Sequence, residues 1–253
     1  MEWGRAKNVL IFAFLVLNIV LGYQLWSNIQ EGPSTSGDVN DLSPGTLAVM
    51  REKGIKLTAR SIPTETPKLS ELTYRVTEKL GEGKRQMLET PVDGKIVFNE
   101  KELLNELGPV IPELKEYRYD PELNEDEAFV LHRIIEDRPM FDVRLKLYYS
   151  NQKIVAYSQD RVELITGDEA AEQTVLPATK ALESLIYNHF KPGAVIKDIK
   201  LGYHGLDFNS DTQFSAPSWR VLLEDGQVYY VHAISAEVFT EKEEAPLNGA
   251  KTE

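Results

Sequence analysis

The strongest pattern in the chain is an unbroken apolar run over residues 9–26, VLIFAFLVLNIVLGYQLW, which contains no charge. At about 1.5 Å of rise per residue, this run with its flanking positions spans the ~30 Å hydrocarbon core of a bilayer. It predicts a transmembrane helix over 9–29, after a short tail over 1–8. Trp3 falls near one interface, and Tyr23 and Trp26 fall near the other, as an aromatic belt requires.

Beyond the run the pattern becomes mixed. Residues 30–43 are polar and rich in Gly, Ser and Asp, a linker composition. Ser43-Pro44-Gly45 opens a short helix over 46–53 that Gly54 closes. A strand over 55–59 and a Pro- and Thr-rich loop over 61–68 follow. Leu72, Tyr74 and Val76 alternate with Thr73, Arg75 and Thr77, which predicts a strand over 72–79. Asp93-Gly94 predicts a two-residue turn joining strands at 87–92 and 95–98. Asn99 caps a helix over 100–107 that stops at Gly108-Pro109. Strands at 129–135, 141–149 and 154–161 come next. The middle one sets Phe141, Val143, Leu145, Leu147 and Tyr149 against Asp142, Arg144 and Lys146.

The last third opens with a helix over 176–190, striped by Leu182, Leu185, Ile186 and Phe190 and stopped at Lys191-Pro192-Gly193. Strands at 195–203, 219–223 and 228–233 follow, the last two joined at Asp225-Gly226, with a further short strand at 237–239. The charged tail over 241–253 is expected to be disordered. The fold class expected is α+β, with two lobes over 44–165 and 166–240, each a helix on an antiparallel sheet.

Charge sets the orientation. Arg5 and Lys7 precede the run and Glu31 and Asp38 follow it, so the N-terminus is expected in the cytoplasm and the large domain outside the cell. A cleaved signal peptide would carry a shorter apolar core and small residues at its exit, whereas Gln24-Leu25-Trp26-Ser27-Asn28 stands there. Asn18 lies in the middle of the run, and two readings of it stay open. Its carboxamide marks a face packed on a partner's helix, or it bonds to its own backbone and faces lipid.

Lys and Arg total 28 against 40 Asp and Glu, a net charge of −12, which excludes a nucleic-acid partner and adsorption to an anionic membrane surface. Hydrophobic residues make up 42%, enough for a core, and with no cysteine that core must hold without disulfides. The chemistry-bearing residues form no motif. His132, His189, His204 and His232 lack metal-ligand spacing, and no G-x-S-x-G occurs. Gly81-Glu82-Gly83-Lys84 lacks the phosphate-loop spacing and reads as a turn. Glu125, Asp126 and Glu127 read as a solvated acidic run. The sequence therefore predicts no catalytic residue, metal site or cofactor.

Two resemblances add to this. Pro217-Ser218-Trp219-Arg220-Val221 with Gly226-Gln227-Val228-Tyr229-Tyr230-Val231 looks like a PepSY-type hairpin, in which Trp219 reads as core. The opening Met1-Glu2-Trp3-Gly4-Arg5-Ala6-Lys7, the apolar run and its close at Leu21-Gly22-Tyr23-Gln24-Leu25 closely resemble the YycI (WalI) family. That resemblance implies a non-catalytic accessory protein of the WalK–WalR (YycG–YycF) two-component system, which governs cell-wall metabolism in low-GC Gram-positive bacteria. It implies the sensor kinase WalK and a YycH-like protein as partners, joined through transmembrane helices. The sign of regulation differs between organisms of the family, and inhibition is the expectation. Ala13, Asn18 and Gly22 are the expected partner-contact positions in the membrane, the two small residues permitting close helix approach. A membrane-anchored cell-wall enzyme and a secreted PepSY-like inhibitor are the alternative classes.

Overall fold

The structure is a computed structural model that describes residues 14, 17, 18, 36–37, 41–59, 61–79, 85–123, 125, 127–165, 171–205 and 210–240. Contacts divide the chain into units over 1–36 and 37–253. In the first unit Phe14, Leu17 and Asn18 are helical, and the remainder of the predicted 9–29 span lies outside the described residues. Among the described residues no helix is long and apolar enough to cross a membrane.

The second unit is mixed α+β and mostly sheet. Helix α1 is Pro44–Lys53. The Ser43 hydroxyl accepts from the Thr46 N–H at 3.2 Å. The helix closes at Gly54, whose φ of 66° is left-handed. Strand β1 is Lys56–Leu57, β2 Lys68–Leu69, β3 Leu72–Glu78 and β4 Gln86–Asp93. Helix α2 is Glu100–Leu107, where the Asn99 side chain accepts from Glu102 N at 3.4 Å. Then come β5 Tyr117–Tyr119, β6 Ala128–Ile135, β7 Arg138–Ser150, β8 Lys153–Gln159, β9 Arg161–Leu164 and β10 Gln173–Thr174. Helix α3 is Ala178–Asn188, followed by β11 Val195–His204, β12 Thr212–Leu223, β13 Val228–His232 and β14 Val238–Thr240.

Twelve of these strands form one sheet, whose main path runs β9-β3-β12-β11-β7-β8-β4. Strand β12 serves two neighbourhoods. Residues Thr212 to Ser215 pair with β3, and Ser218 to Leu222 lie between β11 and β13. Strand β11 meets β7 through one parallel bridge, Tyr203 to Met140. Gly202 makes that approach possible, because a Cβ there would fall 2.4 Å from the Pro139 carbonyl oxygen and 2.7 Å from the Phe141 ring.

Two main hydrophobic clusters hold the unit. In one, α1 and α3 cover the face of the β11–β12–β13 sheet that carries Leu201, Trp219, Val221 and Val231. Helix α1 docks on α3 through Thr46 Oγ1, which donates to Glu183 at 3.1 Å, and through Lys53 Nζ, which donates to the Ile186 carbonyl at 2.7 Å. In the other, α2 and the segment after it pack Leu103, Leu107, Ile111 and Leu114 against Leu131, Leu145, Leu147 and Ile154.

The structure corrects one predicted turn. Asp93-Gly94 is no hairpin, because Gly94–Phe98 is a 3-10 helix whose Lys95 N–H is accepted by Asp93 Oδ1 at 2.9 Å. Strand β4 pairs instead with β8. The turn at Asp225-Gly226 does join two strands, as a three-residue loop between Leu223 and Gln227, with Gly226 at φ 85°.

Candidate interaction and ligand-binding surfaces

The hairpin β12–β13 is buried on both faces. Trp219 faces the helices, fully buried, and its Nε1 donates to the Leu176 carbonyl at 2.8 Å. It is core, as its sequence context predicts. Arg220 faces the other way and is also fully buried. Its Nη1 donates to Asp120 Oδ2 at 2.7 Å and its Nη2 to Asp198 Oδ2 at 2.8 Å. The guanidinium lies over the Phe141 ring, 5.0 Å from its centroid. Burial would push the Asp120 carboxyl up. The charges of Arg220 and Lys200 and the Arg220 hydrogen bond outweigh that and hold it far below the usual carboxylate range. His132 sits 3.6 Å from Asp120, edge-on to Phe141. Burial, then the charges of Arg220 and Arg144, push its imidazole well below its ordinary value, so it stays neutral.

A second polar group stands where β7, β11 and β12 meet. Asp142 Oδ1 bonds His204 Nδ1 at 2.6 Å. Asp142 Oδ2 accepts from Gly205 N at 2.8 Å and from Ser215 Oγ at 3.4 Å. The His204 ring stacks on Tyr230, centroids 3.7 Å apart. A serine, a histidine and an aspartate in contact invite comparison with a hydrolase relay. That relay places the imidazole between hydroxyl and carboxylate. In this chain the carboxylate stands between the other two, so the arrangement orients the strands and activates no nucleophile. Among the described residues no group of three acidic, histidine or cysteine side chains could hold a metal.

Among the described residues, four aromatic side chains gather in one cluster that reaches solvent. Phe98, Tyr119 and Phe129 meet edge-to-face with centroids 5.7 to 6.0 Å apart, and Tyr149 lies 4.8 Å from Phe129. Phe98 is 68% exposed. Lys146 pairs with Glu125 at 2.7 Å on the face of β7 opposite Tyr149.

Of the residues singled out in sequence, His189 caps the end of α3, and His132 and His232 lie in strands. Glu125 is spent on Lys146, while Asp126 and the segment 81–84 lie outside the described residues. Ala13 and Gly22 also lie outside them. Asn18 Nδ2 donates to the Phe14 carbonyl, one turn back, at 2.7 Å. Sequence reasoning missed the Asp142–His204–Ser215 contact and the Arg220 clamp, since their members come from separate elements of the chain and share no motif.

A family model described as YycI protein matches residues 53–234, well over half of the chain. The search of curated proteins finds no match.

Proposed function

From the premise that the chain belongs to the YycI family, we propose that it is a non-catalytic, membrane-anchored regulator. With a YycH-like protein it modulates, and in the first instance inhibits, the WalK sensor kinase of a cell-wall two-component system. The single observation that carries this reading is the family match over 53–234, which covers most of the second unit. The uncharged run over 9–26 supports the anchor, and the charges flanking it support a cytoplasmic N-terminus and an extracellular domain in a Gram-positive cell.

The physical mechanism needs only differential packing. If the anchor packs beside the kinase helices better in one signalling state, it shifts the equilibrium toward that state. A coupling of about 1–3 kcal/mol changes output roughly 5- to 150-fold. Ala13, Asn18 and Gly22 are the positions assigned to that contact, Asn18 through the part of its carboxamide that the bond to the Phe14 carbonyl leaves over. The exterior face assigned to the YycH-like partner is the Phe98–Tyr119–Phe129–Tyr149 group, an exposed cluster of the aromatic residues that anchor protein interfaces.

Crosslinking of the full-length chain in membranes tests both contacts. The expected products are adducts with the kinase and with the YycH-like protein. Asn18→Leu reduces the first and Phe98→Ala the second, each with normal membrane levels. Recovery of neither partner, or full signalling from a chain carrying an unrelated anchor, overturns the reading.

A further inference from the structure

A cleft of about 170 Å³ opens beside the Asp142–His204 pair, lined among others by Glu71, His204, Phe214, Ser215, His232 and Phe239. We propose that it binds a primary aliphatic ammonium group, carried by a small free amine or by a lysine side chain.

Charge excludes the opposite sign first. Glu71 lines the cleft, and the Asp142 carboxylate is bonded to three of the lining residues, His204, Gly205 and Ser215. The whole chain carries −12, so the surrounding potential also draws cations. His232 lines the cleft as well. Its Nδ1 accepts from Ile234 N at 3.1 Å and from Ser235 N at 3.2 Å, so that nitrogen keeps its lone pair and the ring proton resides on Nε2.

Geometry then sets the kind of cation. No three ligating side chains among the described residues converge at metal distance. The lining includes a carboxylate, two imidazoles, a hydroxyl and two phenyl rings. Phe214 is 51% exposed and offers its ring to solvent. A polyatomic cation with an aliphatic stem satisfies all of these groups together. Its N–H donors reach the carboxylate, its charge lies against aromatic rings, and its stem covers apolar wall. A neutral alcohol of the same shape would forgo the charge interactions.

The test titrates the full-length protein in detergent micelles with n-butylammonium chloride, followed by NMR of the His232 and Phe239 side chains. The expected result is saturable shifts at millimolar amine, with n-butanol weaker by about tenfold, the ratio expected for one charge-assisted hydrogen bond. Binding weakens with added salt, since Glu71 is exposed. Glu71→Gln removes the preference for the amine without changing Tm. A blocked Gly-Lys-Gly peptide separates the two sources: tighter binding than n-butylammonium assigns a protein-borne lysine, and equal binding assigns a free amine. Absence of saturable shifts, equal affinity for n-butanol, or an amine preference that survives Glu71→Gln overturns the proposal. None of these outcomes depends on the kinase or on the regulatory reading.

Discussion

Arg220 Nη1 donates to Asp120 Oδ2 at 2.7 Å, and both side chains are sealed from solvent, 0% and 2% exposed. The pair ties the final hairpin to the segment that leads into β6. Breaking such a pair strands a buried charge, so Arg220→Met leaves Asp120 and Asp198 without their shared cation. We expect it to cost about 3–5 kcal/mol, read from the urea midpoint of the full-length protein. A loss below about 1 kcal/mol would show that the clamp contributes little.

His132 makes stability depend on pH. Its folded imidazole is held well below its ordinary value of 6.5, chiefly by burial. As pH falls below that value, the unfolded chain takes up a proton that the folded chain refuses, so stability drops. The slope reaches about 1.4 kcal/mol per pH unit. Asp120 has a depressed folded pKa, so its contribution is lost in a separate, lower window, as pH falls below about 4. His132→Phe is expected to flatten the first slope and leave the second. Denaturation curves at several pH values between about 7 and 3 separate the two.

Tyr203 carries a buried hydroxyl with no hydrogen-bond partner among the described residues. Burial first, and then the charge of Glu136, push its phenol up to about 12 from 10.0. Stability tied to its neutral form is present below pH 10.0 and is lost as pH rises through about 12. Tyr203→Phe removes an unsatisfied polar group. It is expected to be neutral or stabilising by about 1 kcal/mol at pH 7, and to shift alkaline unfolding upward. A large destabilisation at neutral pH would show that the hydroxyl is satisfied after all.

Gly202→Ala places a methyl group 2.4 Å from the Pro139 oxygen and against the Phe141 ring. The expected cost is about 1–3 kcal/mol from overpacking, read as a lower Tm. Since Phe141 also lies under Arg220, the double variant with Arg220→Met should be less destabilised than the sum of the two. Strict additivity would argue that the two contacts are independent.

The sequence made local structure legible wherever one residue type suffices to set it. Ser43 and Gly54 bracket α1, and the alternation from Phe141 to Tyr149 places β7. It misled at Asp93-Gly94, because the choice between a turn and a 3-10 helix depends on where β4 finds its partner. That partner, β8, lies some sixty residues on and leaves no local trace. The strand expected at 219–223 begins in fact at Thr212. Pro217 punctuates the sequence there, yet the strand runs straight through it. Family membership was legible in the opening residues, whereas the match that establishes it covers 53–234. The cleft had no signature at all, since Asp142, His204 and Ser215 come from three separate strands and look like ordinary polar positions.

Strand β12 borders the cleft with Phe214, Ser215 and Ala216, and four residues later buries Trp219 under the helices. An extended backbone is stiff along its axis, so these two places behave as points on one rod. An occupant that levered the mouth of the cleft apart would twist the rod, and the indole would feel the torque. The environment of Trp219 is therefore a built-in gauge of what happens at the cleft a few residues away.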